Sequence, residues 1–207
     1  DFSDHAKAVL AARTSADEGE TWSEDLVIAT PGEEAAMNVM SVSLLRLGNG
    51  DLGLFYCLRH SWHDLRMLLR RSSDEGKSWS EPVLCMQGAD YHVVNNDRVL
   101  RLSSGRLLIP TALHRKLKEE DAPSSRDWRA QATFFLSDDD GKSWRQSLTY
   151  CVLPSPHTRS GLQEPGVVEL PNGVLWGYAR TDMGRQYEFF SHDGGETWST
   201  PQPSRFT

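Results

Sequence analysis

A carboxylate and a guanidinium stand at equal distances from a turn. Glu164 and Arg180 are each eight residues from Asn172, in a stretch that reads apolar strand, Asn-Gly turn, apolar strand. Residues equidistant from the turn of an antiparallel hairpin face each other, so these two should meet at its open end. Such a pair is either a structural ion pair or the charged part of a binding pocket. Two upstream stretches have the same form. Around Asn49–Gly50, Asn38 falls roughly opposite Ser61 and Met40 opposite Arg59; around Ser104–Gly105, Asn95 falls opposite His114 and Asp97 opposite Thr111, with Asn96 between. The middles of all three hairpins are apolar and their open ends polar. Asn38, Arg59, Asn95, Asn96, Asp97, His114, Glu164 and Arg180 are therefore candidates for one polar pocket, if the three ends share a face. The competing reading of each is an ordinary solvated strand end, and a slip of one or two residues would change the partners.

What would bring three hairpin ends to one face is a repeat. The octapeptide Ser-x-Asp-x-Gly-x-(Thr/Ser)-Trp occurs four times, from Ser15, Ser72, Ser137 and Ser191, at spacings of 57, 65 and 54 residues. Each copy is itself a hairpin turn. Its Asp can accept from the backbone N–H groups of the turn, its Gly can take positive φ, and its Trp is an apolar anchor against a neighbour. Each of the last three copies follows one of the larger hairpins, which gives four short antiparallel strands per repeat. That period and strand count predict an all-β propeller, with approximate blades 1–34, 35–87, 88–152 and 153–207 in a single partial domain. The first strands of propeller blades line the central axis, so the polar ends should meet there.

The octapeptides, known as Asp boxes, and the run Gln163-Glu-Pro-Gly-Val-Val-Glu-Leu-Pro-Asn-Gly-Val-Leu-Trp-Gly-Tyr-Ala-Arg180 before the fourth of them resemble the sialidase (neuraminidase) superfamily. The resemblance implies a six-bladed β-propeller, of which this chain would cover about three and a half to four blades. It implies an exo-sialidase-like glycoside hydrolase that removes terminal sialic acid, or a related acidic sugar, with retention. In that family a Tyr is the nucleophile; Glu164 matches the Glu that helps to deprotonate it, and Arg180 matches the second of three Arg residues that clamp the substrate carboxylate. A planar, permanently charged, two-pronged donor suits a carboxylate better than Lys does, and a phenol needs a nearby base to act near neutrality. An Asp on the first blade is the family's acid/base, and Asp4 is its candidate here. The nucleophilic Tyr and the third Arg are expected after Thr207, the first Arg before Asp1. Asn95-Asn-Asp-Arg98 and Arg59-His60 match no general family signature and suggest a divergent branch with its own sugar preference. A sialidase-fold enzyme acting on another glycan, with His92 or His114 as its acid/base, and a non-catalytic glycan-binding propeller are the alternatives, because fold alone does not fix function.

Composition bounds the partners. The chain has 207 residues and a formal net charge of -7, with a pI of about 5.5, which argues against a nucleic-acid or anionic-membrane surface. No apolar run approaches the roughly 20 residues of a membrane span. The expected partner is a carbohydrate, with no cofactor and no metal. Cys57, Cys85 and Cys151 have no zinc-ligand spacing and read as small buried hydrophobes. Asp138–Gly141 looks like part of a calcium loop, but Lys142 and Thr149 occupy positions where ligands are needed. The charged segment Lys116–Arg129 reads as a mobile surface insertion, or as a lid over the pocket.

Overall fold

The computed structural model describes residues 6–32 and 36–206. Among them it is all-β, apart from a single 3-10 turn at Pro123–Ser125. A short antiparallel pair comes first, β1 (Leu10–Ala12) and β2 (Leu26–Ala29), joined through the first Asp box. The second unit is β3 (Asn38–Arg46), β4 (Leu52–Arg59), β5 (Leu65–Ser72) and β6 (Val83–Leu84). The third is β7 (Tyr91–Val93), β8 (Leu100–Arg101), β9 (Leu107–His114), β10 (Gln131–Ser137) and β11 (Arg145–Gln146). The fourth is β12 (Gln163–Glu169), β13 (Leu175–Arg180), β14 (Tyr187–Ser191) and β15 (Gln202–Pro203). In the second and fourth units sequential strands pair antiparallel. In the third, β7 and β8 both pair antiparallel with β9, which pairs β10, which pairs β11. A parallel bridge, Leu65 to Tyr91, joins the second unit to the third.

β4 in the second unit, β9 in the third and β13 in the fourth are the most buried strands of their units. β4 and β9 are covered almost throughout, so they read as continuous apolar runs and not as alternating ones. The cores lie between units. Leu69 of β5, Leu107 and Ile109 of β9, and Trp144 of the third Asp box share one cluster. Trp198 of the fourth box stacks on Phe134 of β10, with ring centroids 4.1 Å apart. The box Trp is thus the wedge between one unit and the unit before it. Trp22 has no preceding unit among the described residues and is 60% exposed. Polar stitches run the same way: the Asp140 carboxylate accepts from the backbone N–H groups of Gly48 and Asn49 (2.8 and 3.2 Å), and Glu169 accepts from Ser103. All three cysteines are free and buried.

Strand bulges move the register from the one expected. In the β3–β4 pair, Asn38 faces Arg59 and Met40 faces Cys57, with an irregularity between Met40 and Ser43 where Ser41 takes φ 58°. In the β12–β13 pair the inner register centres on Asn172 as expected. A bulge then leaves Gln163, not Glu164, opposite Arg180, and Glu164 takes φ 52°. The third unit departs furthest. Tyr91 faces His114 and Leu100 faces Leu108, so residues 94–99 loop out, and neither Asn95 nor Asp97 has a strand partner. Opposite that gap lies Pro110, between the β9 residues that pair β7 and those that pair β8. Proline has no N–H to give a ladder, and a neighbouring strand is free to leave beside it.

Candidate functional site

The open ends of the hairpins converge on a cleft of about 700 Å³, and Asn38, Arg59, Asn95, Asn96, His114 and Glu164 all line it. Arg180 meets the cleft through Glu164, to which it donates twice, Nε to Oε2 at 3.0 Å and Nη2 to Oε1 at 2.9 Å. The bulge that removes Glu164 from the ladder turns its carboxylate onto Arg180. The hydrogen bonds from Arg180 hold the Glu164 carboxyl below the usual carboxylate range, and the more distant Arg98 acts in the same direction. Asp97 does not line the cleft. Its backbone N–H bonds the Val42 carbonyl at 2.8 Å, and Asp97 itself takes φ 55°. Asp4 lies outside the described residues.

The looped-out Asn95–Arg98 segment laces onto the β3 bulge. Asn96 Oδ1 accepts from the Val42 N–H at 3.0 Å, and Ser43 Oγ accepts from the N–H groups of Arg98 and Val99. Asn96 therefore holds the scaffold beside the cleft. Asn95 differs: its Oδ1 is buried with no hydrogen-bond partner among the described residues. Asn38 is buried at the cleft wall, where its Oδ1 accepts from the Ala8 N–H. Arg59 is buried and packs over Trp62, with its guanidinium carbon 4.9 Å from the ring centroid.

The two histidines part company. His114 lines the cleft, and its Nδ1 donates to the Asp127 carbonyl at 3.0 Å, which leaves Nε2 unprotonated in the neutral ring. His92 lies behind the lining, 2.9 Å from Thr111 Oγ1. Burial, with a smaller contribution from His114, lowers the His92 pKa to about 4. A group in that position is a neutral core histidine and not a proton donor near neutrality.

Sequence reasoning misses part of the site. The Lys116–Arg129 segment runs exposed from Lys116 to Asp121 and returns through a buried stretch. The backbones of Lys116 and Arg126 form an antiparallel β-bridge, the Leu117 N–H bonds the Ser125 carbonyl, and Ser125, Arg126 and Asp127 are buried. Arg126 and Trp128 from this segment, with Tyr91 of β7 and Gln163 of β12, also line the cleft. The one local signal is Arg-Asp-Trp inside an otherwise polar run, but nothing local tells a buried aromatic–Arg cluster from a solvated one. The cleft lining carries Lys7, Arg59 and Arg126 against the lone carboxylate of Glu164 among the described residues, in a chain of net charge -7. Its field favours an anionic ligand.

A second cleft of similar volume opens at the opposite end, among the Asp-box turns. Its charges are matched locally: Arg106 Nε bonds Asp138 at 2.6 Å and Arg106 Nη1 bonds the Gly194 carbonyl. That end is joinery between units.

Residues 3–207 match the BNR repeat-like domain family. The chain is 33% identical over 145 residues to an anhydrosialidase of Macrobdella decora, which covers 66% of this chain and 17% of that protein. It is 27% identical over 149 residues to a sialidase of Bacteroides fragilis, covering 69% and 24%. The chain thus spans less than a quarter of the length of these two curated relatives. The structure of the NanB sialidase from Streptococcus pneumoniae superposes with a TM-score of 0.70 at 15% identity, over 98% of this chain and 47% of that one. The repeats, the all-β units and these likenesses agree, and the chain belongs to the BNR repeat-like domain family as a sialidase-like member.

Proposed function

We propose that this chain is part of an exo-sialidase-like glycoside hydrolase that removes a terminal sialic acid, or a related acidic sugar, from glycoconjugates. It would form one continuous partial domain, about three and a half to four blades of a six-bladed β-propeller. The observation that carries the reading is the two-pronged Glu164–Arg180 pair at a cleft whose described lining is otherwise cationic or neutral. The relatives named sialidase and anhydrosialidase support it.

In this reading Glu164 is ionised at neutral pH and accepts the proton of a tyrosine contributed by the rest of the protein. The phenolate attacks the anomeric carbon as the glycosidic C–O bond breaks and the departing aglycone oxygen takes a proton from the acid/base. Water, deprotonated by that same residue, then displaces the tyrosine and regenerates it. Arg180 serves twice: it holds Glu164 ionised and presents its remaining N–H donors to the substrate carboxylate. Asn38 and Asn95 offer amide groups suited to sugar hydroxyls. Asp4 is the proposed acid/base.

The test is hydrolysis of a fluorogenic sialic acid glycoside by the full-length protein beside its Glu164→Gln variant. Loss of a base from covalent catalysis removes about 100-fold or more in kcat. We expect that drop with the unfolding midpoint little changed. A folded parent protein with no turnover would overturn the proposal.

A further inference from the structure

Among the described residues, Arg126 is a buried charge without a counter-ion. The residue is 3% exposed, and its Nε and Nη1 are buried with no hydrogen-bond partner. Its guanidinium carbon lies 3.7 Å from the ring centroid of Tyr91, 4.6 Å from Trp128 and 5.0 Å from Trp62. The nearest carboxylate in sequence, Asp127, is committed elsewhere: it accepts from Arg115 Nη2 and from Arg129 Nε and Nη2, each at 3.0 Å. The described surroundings of those two nitrogens are thus aromatic faces with no acceptor.

Arginine keeps its proton at any physiological pH. Contact with aromatic faces offsets only part of the cost of removing a guanidinium from water. Buried donors left unpaired in a binding cleft call for an acceptor that arrives from outside. Since rings cover the guanidinium, its edge is the part left to bond. Its parallel edge is formed by Nε–H and Nη2–H, so of the two unpaired nitrogens Nε belongs to the fork that matches a group with two coplanar oxygens, and Nη1 points away from it. Trp128, 51% exposed at the same place, provides an apolar platform for the carbon skeleton that carries such a group.

We propose that Arg126 is a specificity-determining residue of the cleft, which binds a carboxylate or sulfate oxyanion of an acidic glycan at a subsite separate from the Glu164–Arg180 pair. The inference rests on the reading that this cleft takes acidic glycans. The subsite comes from the third unit and the pair from the fourth. A ligand bridging both is selected by the position of its acidic group as well as by its charge.

The experiment is calorimetric titration of the full-length protein and its Arg126→Met variant with three sugars that are not turned over. They are N-acetylneuraminic acid, N-acetylglucosamine 6-sulfate and neutral N-acetylglucosamine. Removal of a charge-assisted two-pronged contact weakens binding by about tenfold or more. We expect that loss for at least one acidic sugar, with the neutral sugar within twofold of the parent. Which acidic sugar loses affinity identifies carboxylate or sulfate as the natural group. Equal loss for acidic and neutral sugars means a structural role and overturns the inference, as does undiminished acidic-sugar binding. A parent that binds no acidic sugar overturns the wider reading and this inference with it; a parent that binds while the variant binds equally well overturns this inference alone. Should the Met variant fail to fold, Arg126→Lys decides. It keeps the charge and loses the fork, so unchanged affinity there counts against the proposal.

Discussion

The two ends of the molecule treat polar groups in opposite ways. At the Asp-box end the fixed Ser, Asp and Thr/Ser side chains of each octapeptide are spent on their own turn, and the acidic residues Asp140 and Glu196 between them join neighbouring units. In the third box Asp139 accepts from Ser137 Oγ, the Ser143 N–H and Ser143 Oγ at 2.6–2.8 Å, and the Gly141 N–H bonds Ser137 Oγ. The fourth box repeats the pattern from Ser191 to Thr197. At the cleft end, Asn95 Oδ1, Arg98 Nε and two nitrogens of Arg126 are buried without partners among the described residues. Locally satisfied groups build a scaffold, with Trp79 Nε1 the one box side-chain atom buried without a partner among the described residues; the unsatisfied groups at the cleft are, in our proposal, where a ligand bonds. Substitutions that change only one end test this division.

The largest expected loss of stability is at the box end. Gly141 has φ +81°, and a Cβ there would lie 2.8 Å from Leu69 Cδ2 of the preceding unit. Gly141→Val should lower the unfolding free energy by about 3 kcal/mol, combining left-handed backbone strain with overpacking. Gly184, at the cleft end, has φ +79° but nothing within 4 Å of a Cβ. Gly184→Val carries only the backbone part, about 1–2 kcal/mol. Urea titrations of both variants measure the difference. Equal losses would deny that the box glycine is where units meet.

Acid should undo the cleft end first. The His92 pKa falls from its ordinary 6.5 to about 4 in the folded protein. Its contribution is therefore complete above pH 6.5 and is lost as pH falls toward 4, on the order of 3 kcal/mol in total. Burial also lowers the pKa of His114, so its contribution is lost in the same direction. The box carboxylates behave differently. Hydrogen bonds from Thr21, Ser78 and Ser143 hold Asp17, Asp74 and Asp139 at about 2. Their contributions persist through that window and are lost only between about pH 4 and 2. Midpoints measured from pH 7 to 4 should fall for the parent, and less steeply for His92→Gln. Parallel slopes would remove His92 from the account.

The same division explains what is legible in the sequence. The Asp boxes repeat because each turn is a self-contained set of bonds, and their four copies mark where the units fall along the chain. The hairpins are legible for the same reason. Their open ends are not, because bulges at Ser41 and Glu164 and the excursion opposite Pro110 shift the pairing by one to four residues. Turn spacing sets Asn38 opposite Ser61, yet it meets Arg59; the same counting puts Asp97 in the pocket, yet it ties down β3. Glu164 and Arg180 still meet, because a long guanidinium reaches across the bulge. The role of Arg126 is invisible in the sequence because its environment is assembled from Trp62, Tyr91 and Trp128, on three separate segments.

The smallest expected effects reverse sign between the two ends. Asp139→Ala removes an exposed carboxylate that accepts three bonds within its turn, and should cost about 1–2 kcal/mol. Arg126→Met removes a buried charge that no described protein acceptor satisfies, and Met fills the aromatic slot with an apolar chain of similar reach. Replacing uncompensated buried charge by apolar packing is commonly neutral or stabilising, here by about 1 kcal/mol. Thermal unfolding of the two ligand-free variants beside the parent should move their midpoints in opposite directions. A destabilised Arg126→Met protein would mean that the aromatic contacts already satisfy the guanidinium, and the cleft end would then be scaffold too. A variant as stable as the parent or more so, with its affinity for acidic sugars gone, would show a charge kept in the fold at the expense of stability for the sake of binding.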